Sequence, residues 1–321
     1  MKSNSEQAMY LSGWRFHALV LSVVCSALAY LVFALWGGWH EVTAAAAKVG
    51  LLGIFITLLM SSFNYCVRFL RWQGYLRTLG HPIAWWQSLQ IYLAGFALTT
   101  TPGKAGEALR GVLLKPLGVP YPKSFAAFSS ERLSDLAAIV LLTLFGLTLY
   151  PDARPLTMVG IILVITGLAL LTQRRFIEKL EALIPQKPGK VLTLARHLLD
   201  ILLEAQSCHR PKLLLSATSL SLIGWGAEAL TFYWILQWMG ADIPLAVSTF
   251  IFALALLAGA LSFIPGGLGG NEAVMVTLLV WRGMPTADAI AATLLIRLAT
   301  LWFAVALGAS FLAKQQIRQA I

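Results

Sequence analysis

Long apolar runs alternate with short polar or basic segments along most of the chain. Residues 18–36 and 49–67 form the first two runs. Each is long enough for a helix to cross a hydrocarbon core of about 30 Å, at about 1.5 Å per residue. The other runs that predict full crossings are 124–149, 156–172, 213–238 and 287–313. The pattern predicts an all-α polytopic integral membrane protein with about six full transmembrane helices.

Two further apolar segments are interrupted by a Pro-Gly motif. The first reads TPGKAGEALR at residues 101–110, and the second reads IPGGLGGNE at residues 264–272. The arm after the first break is highly charged, and the arm after the second break is too short to cross a bilayer. Such arms are compatible with membrane depth only where they line a polar cavity. We therefore predict two re-entrant helical hairpins, 84–119 and 245–282.

The two motifs form an internal repeat. Glu107 and Arg132 are 25 positions apart, as are Glu272 and Arg297, and the Pro-Gly pair recurs with them. Three full crossings separate the motifs, an odd number, so the two copies enter the bilayer from opposite faces. This arrangement is an inverted-topology repeat, which many carriers use to expose one central site to either side in turn.

The chain is predicted to be a single membrane domain over residues 1–321. Its parts are two N-terminal spans (1–83), repeat 1 (84–172), a cytoplasmic basic amphipathic loop (173–212) and repeat 2 (213–313).

Composition agrees with a membrane protein. Hydrophobic residues make up 58% of the chain and charged residues only 12%, whereas soluble domains are about one quarter charged. The net charge of +10 therefore indicates topology and not nucleic-acid binding. Lys and Arg gather in the N-terminal segment, the 173–212 loop and the C-terminal end, so we expect a multi-pass bacterial inner-membrane protein with both termini cytoplasmic.

Arg68 and Arg71 follow the second apolar run and predict a basic collar at a membrane surface. The expected role of both residues is anchoring to lipid headgroups.

Four charged residues fall within the repeated motifs. A Glu or Arg at mid-bilayer depth costs at least about 2.5–3.5 kcal/mol, so it normally faces a partner or a water-filled cavity. Their spacing permits one Glu–Arg pair in each repeat, near the pseudo-twofold axis. Two interpretations stay open: Glu107, Arg132, Glu272 and Arg297 are ion pairs that clamp the hairpins, or the arginines bind a phosphate and the glutamates serve as their counter-ions and proton acceptors.

Neighbouring polar residues extend the candidate substrate site. Glu131 and Asp135 flank Arg132, and Glu131 either orients or neutralises that arginine. The positive charge on the first hairpin suits capture of an anionic lipid from the cytoplasmic side. The added candidates are Lys104, Arg110, Asn271, Glu131 and Asp135.

The helix-breaking residues are candidate gates. They let the backbone turn sharply, and the helices that follow could aim free N–H groups at an anionic headgroup. The candidates are Pro102, Gly103, Gly106, Pro265, Gly266, Gly267, Gly269 and Gly270.

Two single polar residues lie elsewhere in the spans. For Asn64 and Glu228 we predict hydrogen bonding between helices.

The sequence gives little support for a catalytic function. The five histidines lie outside both motifs, no cluster has the spacing of metal ligands, and no Walker motif is present. We expect neither a catalytic residue nor a metal or cofactor.

These motifs resemble a known family. The segments RFLRW at 68–72, TPGKAGEALR at 101–110, ERLSD at 131–135 and FIPGGLGGNE at 263–272 are similar to the lysylphosphatidylglycerol synthase transmembrane-region family. This flippase-like domain family includes the membrane half of the MprF proteins. The resemblance implies movement of lipids between leaflets. No aminoacyltransferase domain follows Ile321, so we do not expect synthase activity.

The leading hypothesis is a flippase-like transporter that works by alternating access. Its cargo would be an anionic-headgroup lipid: a phospholipid, an aminoacyl-phospholipid or a polyprenyl-phosphate-linked sugar. The alternatives are an intramembrane lipid-modifying enzyme and a lipid-presenting partner of a glycosyltransferase. Expected partners are membrane lipids and no nucleic acid, with a glycosyltransferase or lipid-modifying enzyme as a further candidate. The headgroup, the direction of transport, the coupling ion and the oligomeric state stay open.

Overall fold

The computed structural model describes the regions that form the two predicted hairpins and most of the predicted spans. The predicted first span, the gate residues Pro102, Gly103 and Gly106, and Lys104 lie outside the described residues, as does most of the predicted amphipathic helix at 191–205. The described residues are 39–100, 107, 110–148, 154–183, 192, 199, 203, 205–262 and 264–320. They form helices and contain no β-strand, which confirms the all-α fold.

The first half consists of a long helix, a broken hairpin and a second long helix. Its helices are α1 (Trp39–Thr78), α2 (Trp85–Ala94), α3 (Arg110–Leu114) and α4 (Tyr121–Leu147), and a 3₁₀ turn, Gly95–Leu98, extends α2. Gly50 interrupts the regular dihedrals of α1 with φ 71° and ψ 167°.

Two helices follow the first half. The apolar helix α5 (Arg154–Thr172) is succeeded after Gln173 by the short helix α6 (Arg174–Leu183). The charged side chains of Arg174 and Glu178 on α6 are exposed and form an ion pair of 2.8 Å.

The second half repeats the order of the first. Its helices are α7 (Pro211–Trp238), α8 (Leu245–Leu261), α9 (Gly270–Trp281), α10 (Thr286–Arg297) and α11 (Phe303–Ala320). A turn at Pro265–Gly267 breaks the hairpin between α8 and α9, and a π-helical segment, Leu298–Trp302, joins α10 to α11.

The helix ends match between the halves. Gly80 after α1 and Gly240 after α7 both have φ 83°, and they are 160 positions apart. Pro120 and Pro285 are the residues before α4 and α10, 165 positions apart, and both have extended backbone. The repeated unit therefore begins upstream of residue 84, because α1 is the counterpart of α7. The predicted repeat 1, 84–172, instead grouped the first hairpin with α5.

Several helices have the length and composition for membrane crossing. Within the described residues, three long apolar segments qualify: Val42–Thr78, Pro211–Trp238 and Thr286–Ala313. The hairpin arms α8 and α9, at 17 and 12 residues, span only about 26 and 18 Å at about 1.5 Å per residue. Both are shorter than a hydrocarbon core of about 30 Å.

The buried apolar residues form two main clusters, and each cluster contains residues of both halves. One centres on Phe232, Ile251 and Met275, and the other on Trp72, Tyr75 and Tyr92. The candidate site lies where the two halves meet.

Candidate functional site

Each hairpin supplies a glutamate that forms an ion pair with an arginine of the following helix. Arg132 Nη2 donates to Glu107 Oε2 at 3.1 Å, and Arg297 Nε donates to Glu272 Oε1 at 2.6 Å. The 25-residue spacing permitted these two pairs, and the structure contains both. Each pair joins a broken hairpin to the helix that follows it.

Both arginines line one cavity of about 320 Å³. The break of the second hairpin lies beside Thr100, since a Cβ placed on Gly266 would lie 3.4 Å from Thr100 Cγ2. Of the predicted residues, the cavity is lined by Glu107, Arg132, Asp135, Asn271, Arg297, Gly266 and Gly267. Polar residues that the sequence did not point to as binding residues are Tyr65, Thr99, Trp225, Glu228 and Thr300.

Asp135 is the centre of an ion network in the first half. Its carboxylate accepts from Arg71 Nη1 at 2.6 Å and from Arg68 Nη2 at 3.3 Å, and it lies 3.5 Å from Arg132 Nη2. Because Arg132 also binds Glu107, one guanidinium links the cavity wall to this network.

The basic collar predicted that Arg68 and Arg71 contact lipid headgroups, but both side chains lie inside the protein. Both are buried, with 5% and 2% of their surface exposed. Arg71 also donates to the hydroxyls of Ser134 and Ser221. Arg68 lines the cavity, where its guanidinium lies 5.1 Å from the centre of the Trp225 ring. Headgroup anchoring at the surface is therefore wrong for these two residues.

Arg110 and Glu131 lie behind the cavity wall and not in it. Arg110 Nη2 donates to Glu131 Oε2 at 2.6 Å, and the Arg110 guanidinium stacks over Trp72 at 4.4 Å. Gly95 makes room for this side chain, because a Cβ there would lie 2.7 Å from Arg110 Cγ.

Glu131 does not have the predicted relation to Arg132. Its ion pairs are with Arg110 and, at 3.6 Å, with Arg71. On a helix, successive residues point in different directions, so Glu131 faces away from its neighbour Arg132. Asp135, three positions after Arg132, makes the contact instead.

Glu272 occupies the start of α9. Its Oε2 accepts from the Gly269 backbone N–H at 2.7 Å, so this N–H is bound to the chain's own carboxylate and not free for a headgroup. Arg297 Nη2 donates to the Gly266 carbonyl at 2.8 Å. The break itself requires glycine, since Gly266, Gly267 and Gly269 have φ of 66°, 67° and 82°.

The two halves exchange equivalent hydrogen bonds across the cavity. Tyr65 Oη donates to the Thr300 carbonyl at 2.5 Å, and Trp225 Nε1 donates to Asp135 Oδ1 at 3.1 Å. Tyr65 and Trp225 are 160 positions apart, and Asp135 and Thr300 are 165 apart, which are the offsets of the matching helix ends. One contact joins α1 to the π-helical segment between α10 and α11, and the other joins α7 to α4.

Asn64 and Glu228 form the predicted bond between helices. Asn64 Nδ2 on α1 donates to Glu228 Oε1 on α7. Both residues are buried, and Glu228 lines the cavity.

Several polar atoms of the cavity residues have no hydrogen-bond partner in the part of the chain that the structure describes. Arg68 Nε and Arg132 Nε are buried donors of this kind, and Asn271 Oδ1 is a buried acceptor. Buried polar atoms normally have partners.

One side of the cavity is apolar. Leu136 and Ile139 of α4 face Leu256 and Leu257 of α8 in its lining, and Ile264 lies beside them. Leu136 and Ile264 are also 50% and 47% exposed. The charged interior is therefore continuous with an exposed apolar surface.

Comparison with known proteins supports the pattern of motifs. The family model described as "Lysylphosphatidylglycerol synthase TM region" matches residues 17–308. The chain belongs to this family. Members of the lysylphosphatidylglycerol synthase transmembrane-region family are membrane proteins, and the apolar helices agree that this chain is a multi-pass membrane protein.

The names of two similar archaeal proteins state no activity. A UPF0104 membrane protein of Methanothermobacter thermautotrophicus is 29% identical, and the match covers 92% of either chain. Another UPF0104 membrane protein, from Pyrococcus horikoshii, is 25% identical over 92% of this chain and 97% of its own. Membership of this family supports a role related to membrane lipids.

Proposed function

We propose that the chain is a transbilayer lipid transporter that binds an anionic lipid headgroup in the central cavity and exposes it to either leaflet in turn. The observation that carries the proposal is the combination of three arginines and an apolar opening in one cavity. A phospholipid, an aminoacyl-phospholipid or a polyprenyl-phosphate-linked sugar has the matching chemistry, since each joins a phosphate to an apolar tail.

The arginines are suited to the phosphate. Arg68, Arg132 and Arg297 come from three different helices, so they could surround a tetrahedral group. A guanidinium donates in a planar fork that matches phosphate oxygens. The side chain of Arg132 is 25% exposed, the largest fraction among the three. We assign first contact with the headgroup to Arg132.

The glutamates of the repeats are assigned a supporting role. Glu107 and Glu272 each bind the arginine of their own repeat, and Glu272 also caps α9. In this proposal they hold the guanidiniums in place when the headgroup is absent.

The two-fold organisation supports alternation. The equivalent halves contact one another through the reciprocal bonds of Tyr65 and Trp225. If the halves are inverted in the bilayer, exchanging their conformations would move the opening from one face to the other. The glycine-rich breaks, including Gly266 and Gly267, are the proposed gates.

Lipid exchange in reconstituted vesicles tests the proposal. Fluorescent phosphatidylglycerol would be incorporated as a trace probe, and its exposure to a membrane-impermeant reductant would be measured. We expect wild type to move the probe faster than protein-free vesicles do. Arg132→Ala and Arg297→Ala should each slow it at least about 10-fold, the effect of about 1.4 kcal/mol. Lys replacements should recover part of the rate, because a point charge lacks the planar fork.

Arg174→Ala, on the exposed helix α6, is the matched control and should behave as wild type. Wild-type rates in both Arg132→Ala and Arg297→Ala would contradict the site. Chemical change of the probe headgroup would favour a lipid-modifying enzyme instead. Tight lipid retention without movement, together with co-purification of a glycosyltransferase, would favour a lipid-presenting partner.

A further inference from the structure

Each half packs its last helix against the hairpin of the other half. Helix α4 packs against α8, and α11 packs against α2 and the turn Gly95–Leu98. Helices α2 and α8 both precede a Pro-Gly break and begin 160 positions apart, while Leu136 of α4 and Leu301 before α11 are 165 positions apart. The two boundaries are therefore equivalent, and residues of both line the cavity. In a symmetric molecule they would be equally open.

The α4–α8 boundary is open beside the cavity. Leu136 lines the cavity and is 50% exposed, and Leu261 and Ile264 at and after the end of α8 are exposed as well. The helices touch elsewhere, since a Cβ on Gly146 would lie 2.2 Å from Phe250 Cβ. Gly146 is ten residues after Leu136, which is about 15 Å along the helix. The close contact is therefore remote from the cavity, and an apolar opening, the α4–α8 crevice, lies between the two helices next to the cavity.

The α2–α11 boundary is closed at the equivalent place. Leu301 lines the cavity but is only 7% exposed, and the other lining residues Phe96 and Ala304 are buried. A Cβ on Gly308 would lie 2.2 Å from the backbone nitrogen of Ala97. Gly308 is four residues after Ala304, about 6 Å along the helix. The close contact at this boundary is therefore beside the cavity, where it closes the path to the membrane.

The α4–α8 crevice suits the acyl chains of a bound lipid. Its lining of Leu136, Ile139, Leu256 and Leu257 is continuous with the cavity that Arg132 also lines. Acyl chains gain little by leaving the bilayer for such a surface, since lipid tails are as apolar as leucine. The crevice therefore does not select a lipid by itself. A lipid whose phosphate binds the arginines, however, extends its chains from the cavity into the crevice without placing them among charged side chains.

We propose that the α4–α8 crevice holds the acyl chains of the lipid whose phosphate is bound in the cavity, and that the α2–α11 boundary is the equivalent chain site in the other half of the cycle. This inference rests on the proposed transport function. In that other half, α2 and α11 separate at Gly308 while α4 and α8 close beside Leu136. The chains thus stay in apolar surroundings in both states, and only the headgroup passes through the charged cavity.

Photo-crosslinking of the full chain tests the chain site. A benzophenone is attached to Leu136→Cys, in a background without the native cysteines. The vesicles are phosphatidylcholine with a small share of phosphatidylglycerol that has the same acyl chains. We expect phosphatidylglycerol to be enriched several-fold among the lipids crosslinked at this position, because the arginines retain an anionic headgroup. Leu163→Cys on α5, which is 66% exposed, is the matched control and should crosslink the two lipids in proportion to their shares.

The outcomes separate the chain site from the transport function. Arg132→Ala should lower the enrichment at position 136. Equal enrichment at positions 136 and 163, in protein that exchanges fluorescent phosphatidylglycerol, overturns the chain site alone. Enrichment that Arg132→Ala leaves unchanged also overturns it, because the lipid in the crevice would then not be the lipid bound in the cavity. Absence of exchange by wild type overturns the transport function, and this inference with it.

Distances between pairs of spin labels test the alternation of the two boundaries. One pair, Leu136→Cys with Leu261→Cys, spans the α4–α8 crevice, and a second pair, Gln87→Cys with Ser310→Cys, joins α2 to α11. All four positions are exposed. Gly308→Val leaves no room for α11 to close against the first hairpin. We expect it to lengthen the second distance and to shorten the first.

The control for this experiment is Gly167→Val on α5. A Cβ there would have no atom of a neighbouring helix within 4 Å among the described residues, so neither distance should change. Gly308→Ala adds only the Cβ and should change both distances in the same directions as Gly308→Val, by less. Lengthening of both distances would show general loosening and contradict alternation, as would a first distance that stays the same while the second lengthens.

Discussion

Arg71 Nη1 lies 2.6 Å from Asp135 Oδ1, in the interior between α1 and α4. The same guanidinium lies 3.6 Å from Glu131 and binds Ser134 and Ser221. Arg71 therefore joins Asp135, which lines the cavity, to Glu131, which lies behind the cavity wall. The Arg132 side chain reaches the cavity from the other side of Asp135, so the position of the cavity arginine depends on a residue that does not line the cavity.

Replacing Arg71 should destabilise the protein strongly. Arg71→Met removes one partner of a buried ion network and leaves the carboxylates of Glu131 and Asp135 with fewer counter-ions. Such a loss costs about 3–5 kcal/mol. Thermal unfolding in detergent would measure it. Arg174→Met breaks the exposed pair with Glu178 and should cost less than about 1 kcal/mol. Equal stability of the two variants would contradict the structural role of Arg71.

The reciprocal bonds of the two halves should have unequal strengths. Trp225→Phe removes an N–H that donates to the charged Asp135, whereas Tyr65→Phe removes an O–H that donates to the neutral Thr300 carbonyl. The expected losses are about 1.5–3 kcal/mol and about 0.5–1.5 kcal/mol respectively.

Unfolding measurements on both variants would compare them, with Trp234→Phe as the control for loss of indole volume. Trp234 is partly buried and packs against Trp238, with ring centres 6.3 Å apart. A larger loss in Tyr65→Phe than in Trp225→Phe would be the opposite of the expected order.

The repeated spacing allowed part of the site to be predicted. Glu107 with Arg132 and Glu272 with Arg297 have the same 25-residue separation, and both ion pairs are present. The hydrogen bonding between helices predicted for Asn64 was also correct. These predictions succeeded because a polar group at membrane depth must find a partner, and the sequence contains few of them.

The equivalence of α1 and α7 was not predicted, because the number of positions that separates equivalent residues of the two halves changes along the chain. It is 160 positions at Tyr65 and Trp225 but 165 at Asp135 and Thr300, and the paired residues differ in type. An alignment of identical residues cannot detect such pairs. Only the shared helix ends and the reciprocal hydrogen bonds reveal them.

The sequence contains a pattern that predicts the burial of Arg68 and Arg71. The interpretation as a basic collar used only the number of basic residues and not this pattern. Asn64, Arg68, Arg71 and Tyr75 follow the spacing i, i+4, i+7 and i+11, which places them on one face of a helix. A polar stripe on an otherwise apolar membrane helix indicates the side that faces the protein interior. Arg77 lies off this stripe and is exposed.

His209 should make stability depend on pH. It lies in the turn Ala205–His209 before α7, and Ser130 Oγ is 3.2 Å from its Nε2. Burial lowers the pKa of His209 to about 4, compared with an ordinary value of about 6.5. Below pH of about 6.5 the unfolded chain binds a proton that the folded chain does not. Stability should therefore be full above that pH and fall as the pH drops toward 4.

The size of this effect is on the order of 3 kcal/mol across that window. Unfolding of wild type and His209→Gln in detergent at a series of pH values would measure it. His209→Gln lacks the titrating ring. Its unfolding free energy should therefore change less steeply with pH between about 6.5 and 4, by the slope that corresponds to one bound proton. The same slope in both proteins would show that the His209 pKa is not lowered in the folded state.

The central claim is that both halves line one cavity that opens to each side of the membrane in turn. Thr99→Cys and Thr300→Cys place one thiol from each half in the cavity wall, in a background without the native cysteines. Their reaction with a membrane-impermeant thiol reagent would be measured from each side of oriented vesicles. The account predicts that each position reacts from both sides, and that blocking from one side prevents later reaction from the other. Reaction of both positions from one and the same side under all conditions would contradict it.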